Sequence, residues 1–400
     1  MKWAFAFSAL FILNFILVSI LKLSFLSFVF DIAAILFVIF IVTYVFSFQG
    51  DLLAMTQNVW AEGQTRYHRG VGVSVITIIL SLLAFVVSLF TRLPQRAFSL
   101  IFFPSFLLLG LLTAVHVGGN SVRTSMPWLV ASPLLLVVYA FVARQLRTYQ
   151  AFLTPLRSTA FLSHPWWTNI LILVCMMALT YSMGNTDRTL HTRLEVERFC
   201  RSRQWDKALE VGFPQYDNDS SLTMLRALAL ANTGQLGDKL FNYDITGSSR
   251  SLSPQCDYSA IFMLGDDKLL WQTIGIVPRD KAEPLSAFLQ RELRRGTVKP
   301  VAHDYLLCSY LLDRDLRSFV RELPRYYSIN DSLPTHYAEA YVLYCERYKV
   351  RDTLAMQAMQ ADYADFLTVM RSQKSAVLRE SAIRDAYFGT YWYYYYKKRK

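Results

Sequence analysis

The chain has 400 residues, 54% of them hydrophobic, and a formal net charge of +11. With a mean hydropathy of +0.27, it is too apolar for an ordinary soluble protein of this length, and the length allows two to three domains. Ten Lys and Arg precede residue 184 against three acids, Asp31, Asp51 and Glu62, so +7 of the charge lies in an apolar first part and +4 in the rest. The basic balance is therefore a topology signal and gives no reason to expect a nucleic-acid partner.

Between Lys2 and Asp187 six stretches lack Asp, Glu, Lys and Arg: 3–21, 32–50, 70–91, 97–122, 124–143 and 158–186. A helix needs about 20 apolar residues to cross a bilayer, and each stretch is long enough. The expected spans are 3–21, 28–48, 70–91, 97–117, 127–143 and 166–184, in a transmembrane domain over 1–185. Met1-Lys2 and the apolar run after it lack a small-residue cleavage site, so the first span is expected to be retained. Trp3, Trp60, Trp128, Trp166 and Trp167 fall at segment ends, as in an interfacial belt, and Pro94, Pro104, Pro127, Pro133 and Pro165 lie at or near span ends.

Alternating loops separate Lys22, Arg92, Arg96, Arg144, Arg147 and Arg157 from Lys2, Arg66, Arg69 and Arg123, the second set diluted by Asp51 and Glu62. Positive residues favour the cytoplasm, which predicts an inner-membrane protein with both termini on the outer, periplasmic side.

After Asp187 the longest charge-free run is Ala227 to Gly237. Apolar residues now recur at helical spacing, as in Tyr337, Ala340, Tyr341, Tyr344, Cys345 and Tyr348; in Leu316, Phe319, Val320, Leu323 and Tyr327; and in Met356, Met359, Tyr363, Phe366, Leu367 and Met370. Gly296, Pro300, Asp331, Ser332 and Pro334 separate such runs. The whole chain is thus expected to be all-α, a six-helix transmembrane domain followed by a soluble α-helical hairpin domain over 186–400. Two segments, 190–212 and 221–243, read as hairpins of similar construction, with Trp205 and Leu236 31 residues apart. That is close to the tetratricopeptide period of about 34, and an irregular bundle is the other reading. Thr246 to Pro254 reads as an exposed loop.

Four further stretches carry a family resemblance: Asp51 to Gln57 with Gly63 to Arg69, Phe103-Pro104-Ser105, Thr233 to Asp238, and Asp304 to Cys308 with Tyr326-Tyr327 and Leu333-Pro334. Together they resemble an uncharacterised family of bacterial inner-membrane proteins found mainly in Bacteroidetes. The resemblance implies several spans, a tetratricopeptide-like region after them, and no established activity or ligand.

No phosphate-binding loop, nucleophile elbow, H-E-x-x-H or C-x-x-C is present, and no cofactor or metal is implied. Gly118 to Ser121 reads as an inter-span turn, and His191 with Glu195 as a solvated pair. Asp31 falls where a carboxylate stays hydrated at a span start, while Asn14 and His116 suit helix-to-helix hydrogen bonds. The densest polar segment is 49–69, with Asp51, Gln57, Trp60, Glu62, Arg66, Tyr67, His68 and Arg69, joined by Arg123 from the neighbouring outer loop. Its first reading is a short interfacial helix with solvated charges. Its second is a site where Arg and His hold a lipid-linked phosphate while Asp or Glu acts as base, as a transferase of lipid-linked glycans requires.

Cys200, Cys256, Cys308 and Cys345 allow three disulfide connectivities in an oxidising compartment, whereas Cys308 and Cys345 on apolar stripes suit buried free thiols, and Cys175 lies in the last span. The end, Tyr391 to Lys400, sets aromatics against cations and reads either as a lipid contact or as a frayed tail. The leading expectation is a membrane protein, in contact with the lipid bilayer, whose helical-repeat module binds a protein or peptide of the cell envelope. The alternative is the transferase, and a transporter ranks third because the spans hold few polar residues.

Overall fold

The computed structural model describes residues 27–118, 121–150, 164–213, 219–253, 268–278, 283–350, 356–372 and 375–397. The expected first span, with Lys2, Asn14 and Lys22, lies outside them, as do Arg157 and Cys256. Two compact units divide the chain, Met1–Asp187 and Arg188–Lys400.

In the first unit α1 (Ser27–Thr43) runs into a π-helical turn, Tyr44–Phe48, closed by Gln49 N–H donating to Tyr44 O at 2.9 Å. A bend of 67° leads into α2 (Gly50–Trp60). Next comes α3 (Arg69–Thr91), stopped by Arg92 at φ 43° and Pro94. A 3₁₀ segment (Gln95–Phe102), α4 (Phe103–Thr113) and a hairpin of β1 (Val115–Gly118) and β2 (Ser121–Thr124) follow. Then α5 (Met126–Gln150) and α6 (His164–Met183) complete the unit. Pro133, expected near a span end, lies inside α5.

Among the described residues two helices, Arg69–Thr91 and Met126–Thr148, are long and apolar enough to cross a membrane. The number rises to four if Ile32–Phe48 with Gly50–Trp60, and Trp167–Met183 with the helix after it, each count as one bent crossing. Among the described residues the expected span at 97–117 is not one continuous long helix. Ala97 is non-helical (φ −131°), the 3₁₀ segment gives way to an α4 of only 11 residues, and Val115 already pairs with Thr124 in the hairpin. Freedom from charge measures hydropathy, whereas the β-branched Val115, Val117, Val122 and Thr124 favour strand.

Satisfaction of the backbone inside this unit follows the rule for lipid, where irregular main chain must find protein partners. Asn169 Oδ1 accepts the Ser99 N–H of the 3₁₀ segment at 2.8 Å, and Ser105 Oγ donates to Leu80 O at 2.8 Å. Phe37 stacks on Phe102 at 4.5 Å and meets Phe106 edge-on at 5.2 Å. Outward, α3 exposes Val71, Val75, Ile79 and Phe90, and α5 exposes Val130, Leu134, Val137 and Phe141. Apolar faces of that extent belong against lipid, and this half is membrane-associated.

Among its described residues the regular elements of the second unit are helices: α7 (Arg188–Arg201), α8 (Trp205–Glu210), α9 (Ser220–Thr233), α10 (Leu236–Lys239), α11 (Lys268–Ile274), α12 (Leu285–Arg295), α13 (Val301–Leu312), α14 (Leu316–Glu322), α15 (Thr335–Tyr348), α16 (Gln357–Ser372), α17 (Ala376–Tyr387) and α18 (Tyr391–Tyr396), with short 3₁₀ turns between some of them. One connection recurs. Arg203 (φ 56°), Gly234 (φ 70°) and Arg314 (φ 61°) each take a left-handed backbone two residues before the next helix begins. In each case the following residue closes the turn: Gln204 N–H to Phe199 O at 3.0 Å, Gln235 N–H to Leu230 O at 2.9 Å, Asp315 N–H to Tyr310 O at 2.9 Å. Three helix pairs, α7–α8, α9–α10 and α13–α14, are therefore hairpins with the same turn.

Most of the expected stripes face the core. Tyr337 and Ala340, Leu316, Phe319 and Leu323, and Met356, Tyr363 and Phe366 are buried, whereas Tyr348 lies exposed under the Arg317 guanidinium. Two expectations are corrected. In Thr246–Pro254, Ser251, Leu252 and Ser253 are buried, because the short 3₁₀ turn Ser249–Leu252 drops Leu252 into the core. At the other end, Tyr391, Trp392, Tyr393 and Tyr394 are buried in α18, which is neither frayed nor laid on lipid. Large aromatic surfaces gain more from packing than from water, and the Trp392 ring lies tilted against Tyr363 and Phe366 at 5.2 and 5.9 Å.

Candidate functional site

The π-turn and bend after α1 carry the chain from the spans into the polar segment, and they bury Gln49. Its Nε2 donates to Asn185 O at 3.1 Å and to Tyr44 OH at 3.4 Å. Tyr44 OH lies 3.1 Å from Thr113 Oγ1, and Asn185 Nδ2 donates to Val115 O at 2.8 Å. A Cβ at Gly184 would stand 2.1 Å from Tyr44 OH, so only glycine fits there. This junction ties together the ends of α1, α4 and α6 and the start of β1. π-turns are costly and concentrate where a helix is redirected for a purpose. A scan for charge passes over it, since Tyr44, Gln49, Thr113, Gly184 and Asn185 are all neutral.

Beside it stand the candidates read from the sequence. Asp51, in the first turn of α2 where a helix favours negative charge, forms an ion pair with Arg69 at the start of α3. Gln57 Nε2 donates to Thr65 Oγ1 at 3.0 Å. Glu62, Arg66 and His68 lie exposed along the connection to α3, Glu62 with φ 49° and His68 at the N-cap. Arg123 is carried separately on β2, opposite His116. The ring of Tyr67 covers Gly72, where a Cβ would come within 2.4 Å. The structure thus joins Asp51 to Arg69 and Gln57 to Thr65, and carries Arg123 on a separate element. The ion pair commits one acid and one base of the segment to each other.

In the second unit several ionisable groups are built into the core. Asp304 Oδ1 accepts from Tyr327 OH at 2.7 Å and from Tyr337 OH at 2.9 Å. Glu339 Oε2 lies 3.0 Å from His336 Nδ1 and accepts the Tyr391 N–H at 2.6 Å. Burial, with Glu197 adding to it, pushes the Cys200 thiol up to about 12, and burial also raises that of Cys308, so both are weak nucleophiles. Cys175 and Cys345 are also free thiols. No group of three His, Cys, Asp or Glu placed to hold a metal occurs among the described residues.

No curated protein and no solved structure shows significant similarity to the chain. A family described as one of unknown function, DUF6057, matches residues 3–273 and 279–398. That match spans almost the whole length, both units included, and the chain belongs to this family of unknown function.

Proposed function

We propose that the protein is a multi-pass inner-membrane protein whose helical second half stands on the periplasmic side and binds a protein or peptide of the cell envelope. The observation that carries this reading is the hairpin turn repeated at Arg203, Gly234 and Arg314. Stacked helix pairs of one construction are the architecture of tetratricopeptide-like binding surfaces, which need no catalytic group. Orientation rests on charge. Ser125 N–H donates to Ala114 O at 2.7 Å beyond the end of α4 while Phe103 at its start stacks on Tyr139 in α5 at 5.1 Å, so the two helices run antiparallel, and a hydrogen bond of Tyr139 with Thr91 puts the Arg92 end of α3 on the side of Arg144 and Arg147. That end is the cytoplasmic one by the positive-inside rule. A membrane transferase acting on a lipid-linked glycan through 49–69 is the alternative, and the Asp51–Arg69 ion pair counts against it by committing two of its candidate residues to each other.

The test is photo-crosslinking in cells from single positions on exposed faces of α7, α9 and α13, with positions in 61–68 as comparison. A defined envelope protein trapped only from the helical half, whose deletion reproduces loss of this protein, supports the module. Adducts confined to 61–68 would overturn it.

A further inference from the structure

Arg226, in α9, is a buried cation whose donors the fold leaves mostly unused. It is 1% exposed. Nη2 donates to Val211 O at 3.5 Å, while Nε and Nη1 have no partner. A guanidinium offers five N–H donors in a rigid fork, so whichever Nη2 hydrogen faces Val211, one two-donor edge remains. Among the described residues two carboxylates, Asp219 and Asp244, act on Arg226, and each is already engaged by another cation. Asp219 Oδ2 meets Arg193 Nη1 at 3.1 Å while its Oδ1 caps α9 through Leu222 N–H at 2.6 Å, and Asp244 Oδ1 meets Lys397 Nζ at 2.5 Å. Burial lowers the pKa of Arg226 to about 10, which leaves it charged at neutral pH. A buried charge whose hydrogen-bond donors are unmet is expensive.

The guanidinium lies over the Tyr243 ring at 4.5 Å, and Tyr243 is met edge-on by Phe213 at 5.5 Å. Phe213 is 54% exposed, so this aromatic pair carries the site from Arg226 to the surface. From the open fork, the engaged neighbours and this rim we infer that Arg226 receives an oxyanion, the carboxylate or phosphate group of a ligand bound by the helical half. A planar two-donor edge matches the two oxygens of either group. The inference rests on the binding-module reading and names the group such a partner presents.

The test uses the full chain in detergent micelles and free anions, without any partner, so it stands or falls apart from the crosslinking. Thermal unfolding is followed by circular dichroism in sodium phosphate, sodium acetate or sodium chloride at matched pH and ionic strength. A saturable rise in midpoint of several degrees with phosphate or acetate, absent with chloride and lost in R226Q, is expected. A response to acetate assigns a carboxylate, and one to phosphate alone a phosphorylated ligand. Should R226Q not fold, R226K keeps the charge without the fork and must lose at least half of the rise. Equal midpoints in all three salts, or a rise unchanged in R226K, would overturn the inference.

Discussion

Glu339 and Tyr391, 52 residues apart, are joined by a 2.6 Å hydrogen bond from the backbone N–H of Tyr391 to the buried Glu339 carboxylate. The same residue's main-chain oxygen accepts Trp392 Nε1–H at 2.9 Å. Tyr391 and Tyr394 donate to the Leu311 and Leu312 carbonyls at the end of α13, and Arg314 Nη2 donates to the Tyr394 and Lys397 carbonyls. Helix α18 thus closes the helical unit.

E339A leaves the Tyr391 amide unpaired in the core and removes the partner of His336, at a cost of about 2–3 kcal/mol. W392A empties an aromatic site and costs about 3–5 kcal/mol. Both variants are expected to lower the unfolding midpoint of the full chain and to expose the C-terminal segment to limited proteolysis. Wild-type resistance in both would show that α18 does not close the unit.

At the membrane junction, G184A drives a methyl group into Tyr44 OH. Overpacking of this kind costs about 1–3 kcal/mol. Reduced thermal stability in detergent is expected, with G184S no better; an unchanged midpoint would mean that the Tyr44, Gln49 and Asn185 contacts are loose.

Cys200 sets a pH dependence. Its thiol ordinarily ionises near 9 and is raised to about 12 in the fold. A raised folded value contributes stability that is whole below about pH 9 and is lost progressively as pH rises towards 12. Unfolding free energy of C200A is expected to fall less steeply across that window than that of wild type, measured by denaturant titration at fixed pH steps. Parallel curves would contradict the burial argument.

Topology is open to direct assay. Alkaline phosphatase fused after Lys400 is expected to be active, and fused at Gln150, beyond Arg144 and Arg147, inactive. The reverse pattern would move the helical half into the cytosol.

Much of this plan was legible from residue type and spacing. Gly296, Pro300 and Pro334 mark real helix boundaries, and the Leu316, Tyr337 and Tyr363 stripes point inward because a period of 3.6 reports burial. Less was legible where hydropathy and conformation diverge. Residues 97–117 are free of charge, yet Ala97 and the Val115 strand break them, since lack of charge says nothing about backbone angles. Tyr391 to Tyr394 looked peripheral because their partners, Glu339, Leu311 and Leu312, are distant in sequence. The Asp51–Arg69 pair was foreseen only as two members of a polar segment; that they meet depends on the bend after Phe48.

The central claim is that function resides in the helical half and not in chemistry at 49–69. Complementation of a deletion strain by single variants D51A, E62A, R66A, H68A, R69A and R123A, each checked for abundance and membrane insertion, tests it most directly. The account predicts that every variant present at normal abundance retains most of its function. Loss of a catalytic base or phosphate clamp lowers a rate by about 100-fold or more, so one substitution that abolishes function in a normally abundant, inserted protein would contradict the account and favour the transferase.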